Sequence, residues 1–298
     1  MRHAAIINRF VIVIVSVTAT GGCSKEMLQP TSVHNDPAAL AASWKSANVD
    51  PRWMKARTLI TEAQTLARDR KYAEALPAAR EAKVLFEQAS GPQHPDVGKA
   101  LLTVADIEGR LNDSAQAEQD AERAVAILEK HRGSDPDLDQ TYATGLTVLA
   151  GVYWDVNKFA QAEQTYRRAI AAQEAVWGQD SLYVATTLTN LGQLYLTRGR
   201  EAEAEPLLQK ALMIREKALG ANDPQVGMSV CNLALAKRAL KKHEEAQPLE
   251  QRALGILKQT GDPTLQQHFS KYAQQLRNLG RDQDADQIDS QVRASGKG

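Results

Sequence analysis

Three small side chains recur along this sequence with one internal spacing, six times over. The first set is Ala63, Ala105, Ala150, Gly192, Ala234 and Ala273. Ala75, Ala117, Ala162, Ala204, Ala246 and Ala285 stand 12 residues later. Ala82, Ala124, Ala169, Ala211, Ala253 and, as the only departure from small residues, Val292 follow after a further 7. From unit to unit the step is 42, 45, 42, 42 and 39 residues, so the internal spacing survives changes in the length between units. Periods of this size mark stacked supersecondary units. Antiparallel helices approach closely only where the facing side chains are small, because interaxial distance follows the residues at the contact. A packed interior also registers even one extra methylene.

Larger apolar residues complete each inward stripe at spacings of three, four and seven, the mark of one helix face. In the third unit these are Leu146, Leu149 and Tyr153, then Phe159, Tyr166 and Ile170; in the fourth they are Leu188, Leu191 and Tyr195, then Leu208 and Ile214. Asn157-Lys158 and Gly199-Arg200 separate the two helices of those units. Gly91, Gly133, Gly178 and Gly220 fall where a second helix must stop. Pro92, Pro95, Pro136 and Pro224 follow, where a new helix begins. Aromatics make up only 5% of the chain, and alanine, leucine, glutamine, glutamate and arginine dominate it, which favours helix throughout. The expected fold class is all-α.

The pattern resembles the tetratricopeptide repeat family, whose signature is W-x₂-L-G-x₂-Y followed by A-x₃-F-x₂-A. Leu188, Leu191, Gly192, Tyr195, Ala204, Leu208 and Ala211 sit on that template; so do Leu146, Leu149, Ala150, Tyr153, Ala162, Tyr166 and Ala169. The longer period, with His94-Pro95-Asp96 or Asn222-Asp223-Pro224 between units, is similar to the variety found in kinesin light chains. The resemblance covers roughly residues 56–292 and implies a right-handed α-solenoid of five to six helix-turn-helix repeats. Glu62, Glu108, Lys237, Glu250 and Asp289 depart from it, since those slots are usually apolar or aromatic. The domain reading is therefore a solenoid over residues 51–292 and a disordered tail over 293–298.

The N-terminus reads as an address. Arg2, His3 and Arg9 form a basic start, Phe10 to Val17 is nearly unbroken apolar sequence, and Thr18 to Gly22 lead into Cys23. The apolar run falls short of the roughly 20 residues that span a bilayer and suits a secretory signal. The ending resembles a bacterial lipoprotein signal, although Thr20 stands where leucine is usual. That resemblance implies removal of residues 1–22, acylation of Cys23, and a linker over 23–50 carrying a periplasm-facing body. Ser24 after the cysteine implies sorting to the outer membrane. An ordinary signal peptide cut near Gly22 with Cys23 a bystander, or an uncleaved membrane anchor, is the alternative.

Positive and negative charges balance at 36 each, and no basic stripe stands out, so nucleic acid is not an expected partner. Two cysteines, Cys23 and Cys231, make no disulfide framework. Cys231 is read as a small core or wall residue. No phosphate-binding glycine loop, zinc spacing or nucleophile elbow occurs. The histidines fall in linkers or near helix ends, and His94-Pro95-Asp96 is read as turn chemistry. No enzyme activity, cofactor, metal or small-molecule substrate is expected. The tetratricopeptide resemblance instead implies a concave groove lined by first helices. Its positions here include Lys99, Leu102, Thr103, Asp106, Thr144, Thr147, Gly151, Trp154, Thr186, Thr189, Asn190, Gln193, Leu196, Asn232 and Arg238. By resemblance, Asn190 and Asn232 contact the backbone of a bound peptide; bonding between helices is the other reading. Thr147, Gly151 and Met228 occupy slots where a terminal-carboxylate clamp needs lysine and asparagine, so that ligand is not implied. The expected function is a membrane-tethered scaffold that captures a protein segment. An assembly factor working through convex or terminal surfaces is the alternative.

Overall fold

The computed structural model describes residues 50–295. The expected signal at 1–22, Cys23, nearly all of the linker and residues 296–298 lie outside the described residues. The described residues form twelve α-helices and no strand. They are α1 (Pro51–Arg68), α2 (Tyr72–Ser90), α3 (Pro95–Leu111), α4 (Ser114–Lys130), α5 (Pro136–Asp155), α6 (Phe159–Trp177), α7 (Leu182–Thr197), α8 (Glu201–Leu219), α9 (Pro224–Ala239), α10 (His243–Thr260), α11 (Pro263–Asn278) and α12 (Asp282–Ser295). Helix α12 runs three residues into the expected tail, because Val292 is buried and Arg293 Nε donates to the Asp289 carbonyl at 3.1 Å.

Odd-numbered helices are the first members of six hairpins, and each begins with a side-chain cap. Asp50, His94, Asp135, Asp223 and Asp262 precede a proline at the first helical position and accept a backbone N–H; Ser181 does so for α7. Such caps satisfy donors that the helix itself leaves over. His94 Nδ1 accepts from Asp96 N at 3.3 Å, and Asp96 Oδ2 accepts from Trp53 Nε1 at 2.8 Å. His94-Pro95-Asp96 is thus a helix start that ties α3 to α1.

Each hairpin turns in the same way. Arg70, Asn112, Asn157, Gly199, Lys241 and Gly280, each seven residues past the first small residue, have φ between 61° and 71°. The next N–H closes back to a carbonyl five residues earlier, at 2.8–3.0 Å in all six turns. This is the six-to-one closure of a Schellman motif. Second helices α2, α6 and α8 end at Gly91, Gly178 and Gly220 with φ of 87°, 81° and 87°.

All eighteen repeating slots are buried. Gly192 shows why they are small: a Cβ there would lie 2.8 Å from Leu208 Cγ on the paired helix. Two of the five departures from the apolar pattern are buried as well. Glu108 is met by Arg80 Nη2 at 2.8 Å, and Glu250 by Arg238 Nη2 at 2.6 Å.

The helices gather into two compact units, residues up to Ser134 and residues from Asp135. In the first, hairpins α1–α2 and α3–α4 pack through α2 and α3, around Ala63, Ala75, Ala79, Val104 and Ile107. In the second, hairpins α5–α6, α7–α8, α9–α10 and α11–α12 follow one another. Successive first helices also touch there, α5 with α7, α7 with α9, and α9 with α11. They form a continuous wall in that unit.

Candidate binding groove

Four of the expected groove residues, Lys99, Leu102, Thr103 and Asp106, belong to the first unit. Lys99 is half-buried on α3, and Asp106 sits 3.3 Å from Arg110 Nε one turn along the same helix. Burial raises the Asp106 carboxyl above its ordinary range, and the Arg110 charge opposes that rise.

The second unit carries the rest. Thr147 on α5 is buried, with Oγ1 3.1 Å from Thr187 Oγ1 on α7. Gln173, reaching in from α6, donates through Nε2 to Thr147 Oγ1 at 2.9 Å and accepts from Thr187 Oγ1 at 2.8 Å. One repeat on, Arg215 of α8 occupies the slot of Gln173. Its Nη1 donates to Thr189 Oγ1 on α7 and to Ser229 Oγ on α9, both at 2.9 Å, and its Nη2 donates to Thr186 Oγ1 at 3.3 Å. In the other units with this slot stand Phe86, Leu128 and Leu257, all buried. A guanidinium therefore fills a position that three of the other four units keep apolar. Burial alone pulls its pKa down to about 10, so it stays protonated at neutral pH.

Asn232 on α9 joins three helices. Its Oδ1 accepts from Gln193 Nε2 of α7 at 3.2 Å and lies 3.2 Å from His268 Nε2 of α11. His268 is not near a helix end: it sits inside α11, half-buried, because Leu265, Phe269 and Tyr272 of the same helix are drawn into the core. Burial first, then the charges of Lys271 and Arg215, push its pKa down to about 4. Asn190 is different. It is 92% buried, yet its Nδ2 has no acceptor among the described residues.

Trp154 is buried at 8% exposure, so little of the ring reaches the surface. Arg238 forks onto Glu250 through Nε at 2.9 Å and Nη2 at 2.6 Å. The structure thus gathers Thr186, Thr189, Asn190, Gln193 and Asn232 on the α7–α9 face, while Arg238 turns to Glu250 and Thr147 to Gln173. Sequence reasoning passed over Arg215, Ser229 and His268; a basic residue in a slot that three other units keep apolar was the available signal. Cys231 is buried at 1% exposure, with its thiol pushed up by burial and then by the Glu250 charge, so it is a core residue. Among the described residues no group of three or more His, Cys, Asp or Glu is placed to hold a metal, and no helix is long and apolar enough to cross a membrane.

Helical hairpins of this kind, stacked through small residues, define a repeat protein. The model of the tetratricopeptide repeat family matches residues 55–130, 141–217 and 183–259, more than half of the chain, and the chain belongs to that family. No curated protein matches the sequence. Among solved structures it is similar to BtubC (BKLC) from P. vanneervenii, at 21% identity and TM-score 0.58 over 76% of this chain and 90% of that one. A putative kinesin light chain from Podosopora anserina is similar at 21% identity and TM-score 0.58, over 68% of this chain and 95% of that one. A Rap protein complexed with competence and sporulation factor is similar at 14% identity and TM-score 0.59, over 88% and 80% of the two chains. These likenesses are of fold.

Proposed function

We propose that this protein is a non-enzymatic scaffold that captures a segment of another protein along the α7–α9 wall. The observation that carries this reading is Asn190, a buried amide whose donor has no partner. A buried polar group left unsatisfied costs about 1–3 kcal/mol, and turning the amide outward to meet an arriving backbone carbonyl removes that cost. Thr186, Gln193 and Asn232 beside it supply further polar contacts that suit a backbone whatever its side chains. The similar Rap protein, solved in complex with competence and sporulation factor, supports a holding role for this fold. Replacing Asn190 and Asn232 together with alanine is expected to weaken capture of the partner about thirtyfold, from two lost hydrogen bonds of about 1 kcal/mol each. A pulldown from cell-envelope extract measures it. Undiminished recovery, with crosslinks mapping outside the wall, would favour an assembly factor that works through other surfaces.

The reading includes a lipid tether at Cys23, supported by the basic start, apolar run and small residues before it. Acylation there places the body facing the periplasm, on the outer membrane by the Ser24 rule. Cells fed a tagged fatty acid should label the wild-type protein and leave Cys23→Ala dark. A labelled Cys23→Ala protein removes the tether from the proposal.

A further inference from the structure

We infer that the captured segment presents an acidic side chain, Asp or Glu, whose carboxylate is received by Arg215. The inference rests on the groove reading and adds the chemistry of its ligand. A buried guanidinium normally comes with an anion, because removing a charge from water costs several kcal/mol unless a partner repays it. The other well-buried cations of this unit follow that rule: Arg238 pairs with Glu250, and Lys237 with Glu205 and Glu245. Arg215, 8% exposed, has no ion pair among the described residues, and its guanidinium hydrogen-bonds only to three hydroxyl groups there.

The hydroxyls do not require that charge. One repeat earlier Gln173 holds the corresponding threonines with a neutral amide. Arg215 also keeps donors in reserve. Both Nη1 protons are used, but Nε–H and one Nη2–H have no acceptor among the described residues, and parallel N–H donors of a guanidinium grip a carboxylate. Asn190, next to Thr189, adds a second donor that lacks an acceptor. Two independent side chains of one wall therefore seek electron pairs. A single guanidinium among neutral hydroxyls matches one negative charge better than a doubly charged phosphate.

A side chain suits the geometry better than a chain end. Arg215 springs from a second helix and reaches up between α7 and α9 to Thr189 and Ser229. A side-chain carboxylate extends past the bound backbone toward it. A terminal carboxylate stays at the level of the backbone, where Thr147, Gly151 and Met228 offer no cation to clamp it.

The test uses three pools of random hexapeptides with the purified protein. One is acetylated and amidated with a fixed glutamate; the second is the same with glutamine; the third has the glutamine and a free C-terminal carboxylate. The glutamate pool should bind about tenfold more tightly than either glutamine pool, by thermal shift, and should move the ¹⁵N Nε–H signal of Arg215. Arg215→Gln, a copy of Gln173, should fold and bind all three pools alike. Arg215→Lys keeps the charge without the fork and should retain part of the preference. Equal binding of the glutamate and blocked glutamine pools by the wild type overturns the acidic ligand and leaves the groove standing. A free-terminus pool that matches the glutamate pool makes the carboxylate a chain end and also overturns it. So does a preference that survives in Arg215→Gln, or silence from every pool. The Asn190 and Asn232 pulldown judges the groove separately.

Discussion

Glu250→Ala is expected to destabilise the second unit by about 3–5 kcal/mol, the cost of leaving a buried charge without its partner. Glu250 is 5% exposed on α10, and both of its oxygens are used by the Arg238 fork from α9. Tyr272 of α11 donates its hydroxyl to the same carboxylate. Removing the carboxylate strands a guanidinium whose side chain is 9% exposed, with only Asp284 at 3.7 Å to answer it. It also strands a buried phenol. Urea unfolding followed by circular dichroism measures the loss. An isosteric apolar pair, Arg238→Met with Glu250→Leu, should recover much of it, since a buried pair is costly to break but contributes little over good packing. A single Glu250→Ala that unfolds at the wild-type midpoint would mean that Arg238 finds water, and the reading of this ion pair fails.

Acidification from pH 7 to pH 4.5 should loosen the α9–α11 contact by on the order of 2–3 kcal/mol, through His268. Its ordinary pKa of about 6.5 falls to about 4 in the folded protein. The unfolded chain therefore takes up the proton first as pH falls. Stability is whole above about 6.5 and drains away toward about 4, because the unfolded state binds more protons throughout that window. The depressed Glu163 carboxyl, held at about 2 chiefly by Arg200, gives up its stabilisation as pH falls from its ordinary value of 4.5 toward about 2, so the two windows barely overlap. In the first unit Glu108 works the other way: burial raises its pKa, and its contribution falls as pH rises. Hydrogen exchange of α9 and α11 amides isolates the histidine. The wild type should lose protection between pH 7 and 4.5, and His268→Gln should lose little. Equal losses in both proteins would show that another group drives the change.

The hairpin turns show how far local sequence can be read. Gly199 and Asn157 announce a left-handed residue, because glycine and asparagine adopt that conformation readily. Arg70 and Lys241 take the same conformation without announcing it. Their position is what marks them, seven residues past the first small residue, where two helices already fixed by packing leave the chain no other way to turn. The groove divides similarly. Asn190 and Asn232 are identified by register against the repeat. Arg215 and His268 are not, because their neighbours come from helices 14 to 36 residues away along the chain.

Sequence alone determined the helices, their pairing and their period, since small residues at fixed intervals, capping aspartates before prolines and terminal glycines all act within a few residues of themselves. Tertiary structure decided which polar groups inside that frame are answered. Glu108 and Glu250 found arginines on paired or stacked helices, Asn232 found Gln193 and His268, and Arg215 found hydroxyls but no anion. Electrostatic partnership depends on distance through space and on burial, and neither is written in the spacing of residues along one helix.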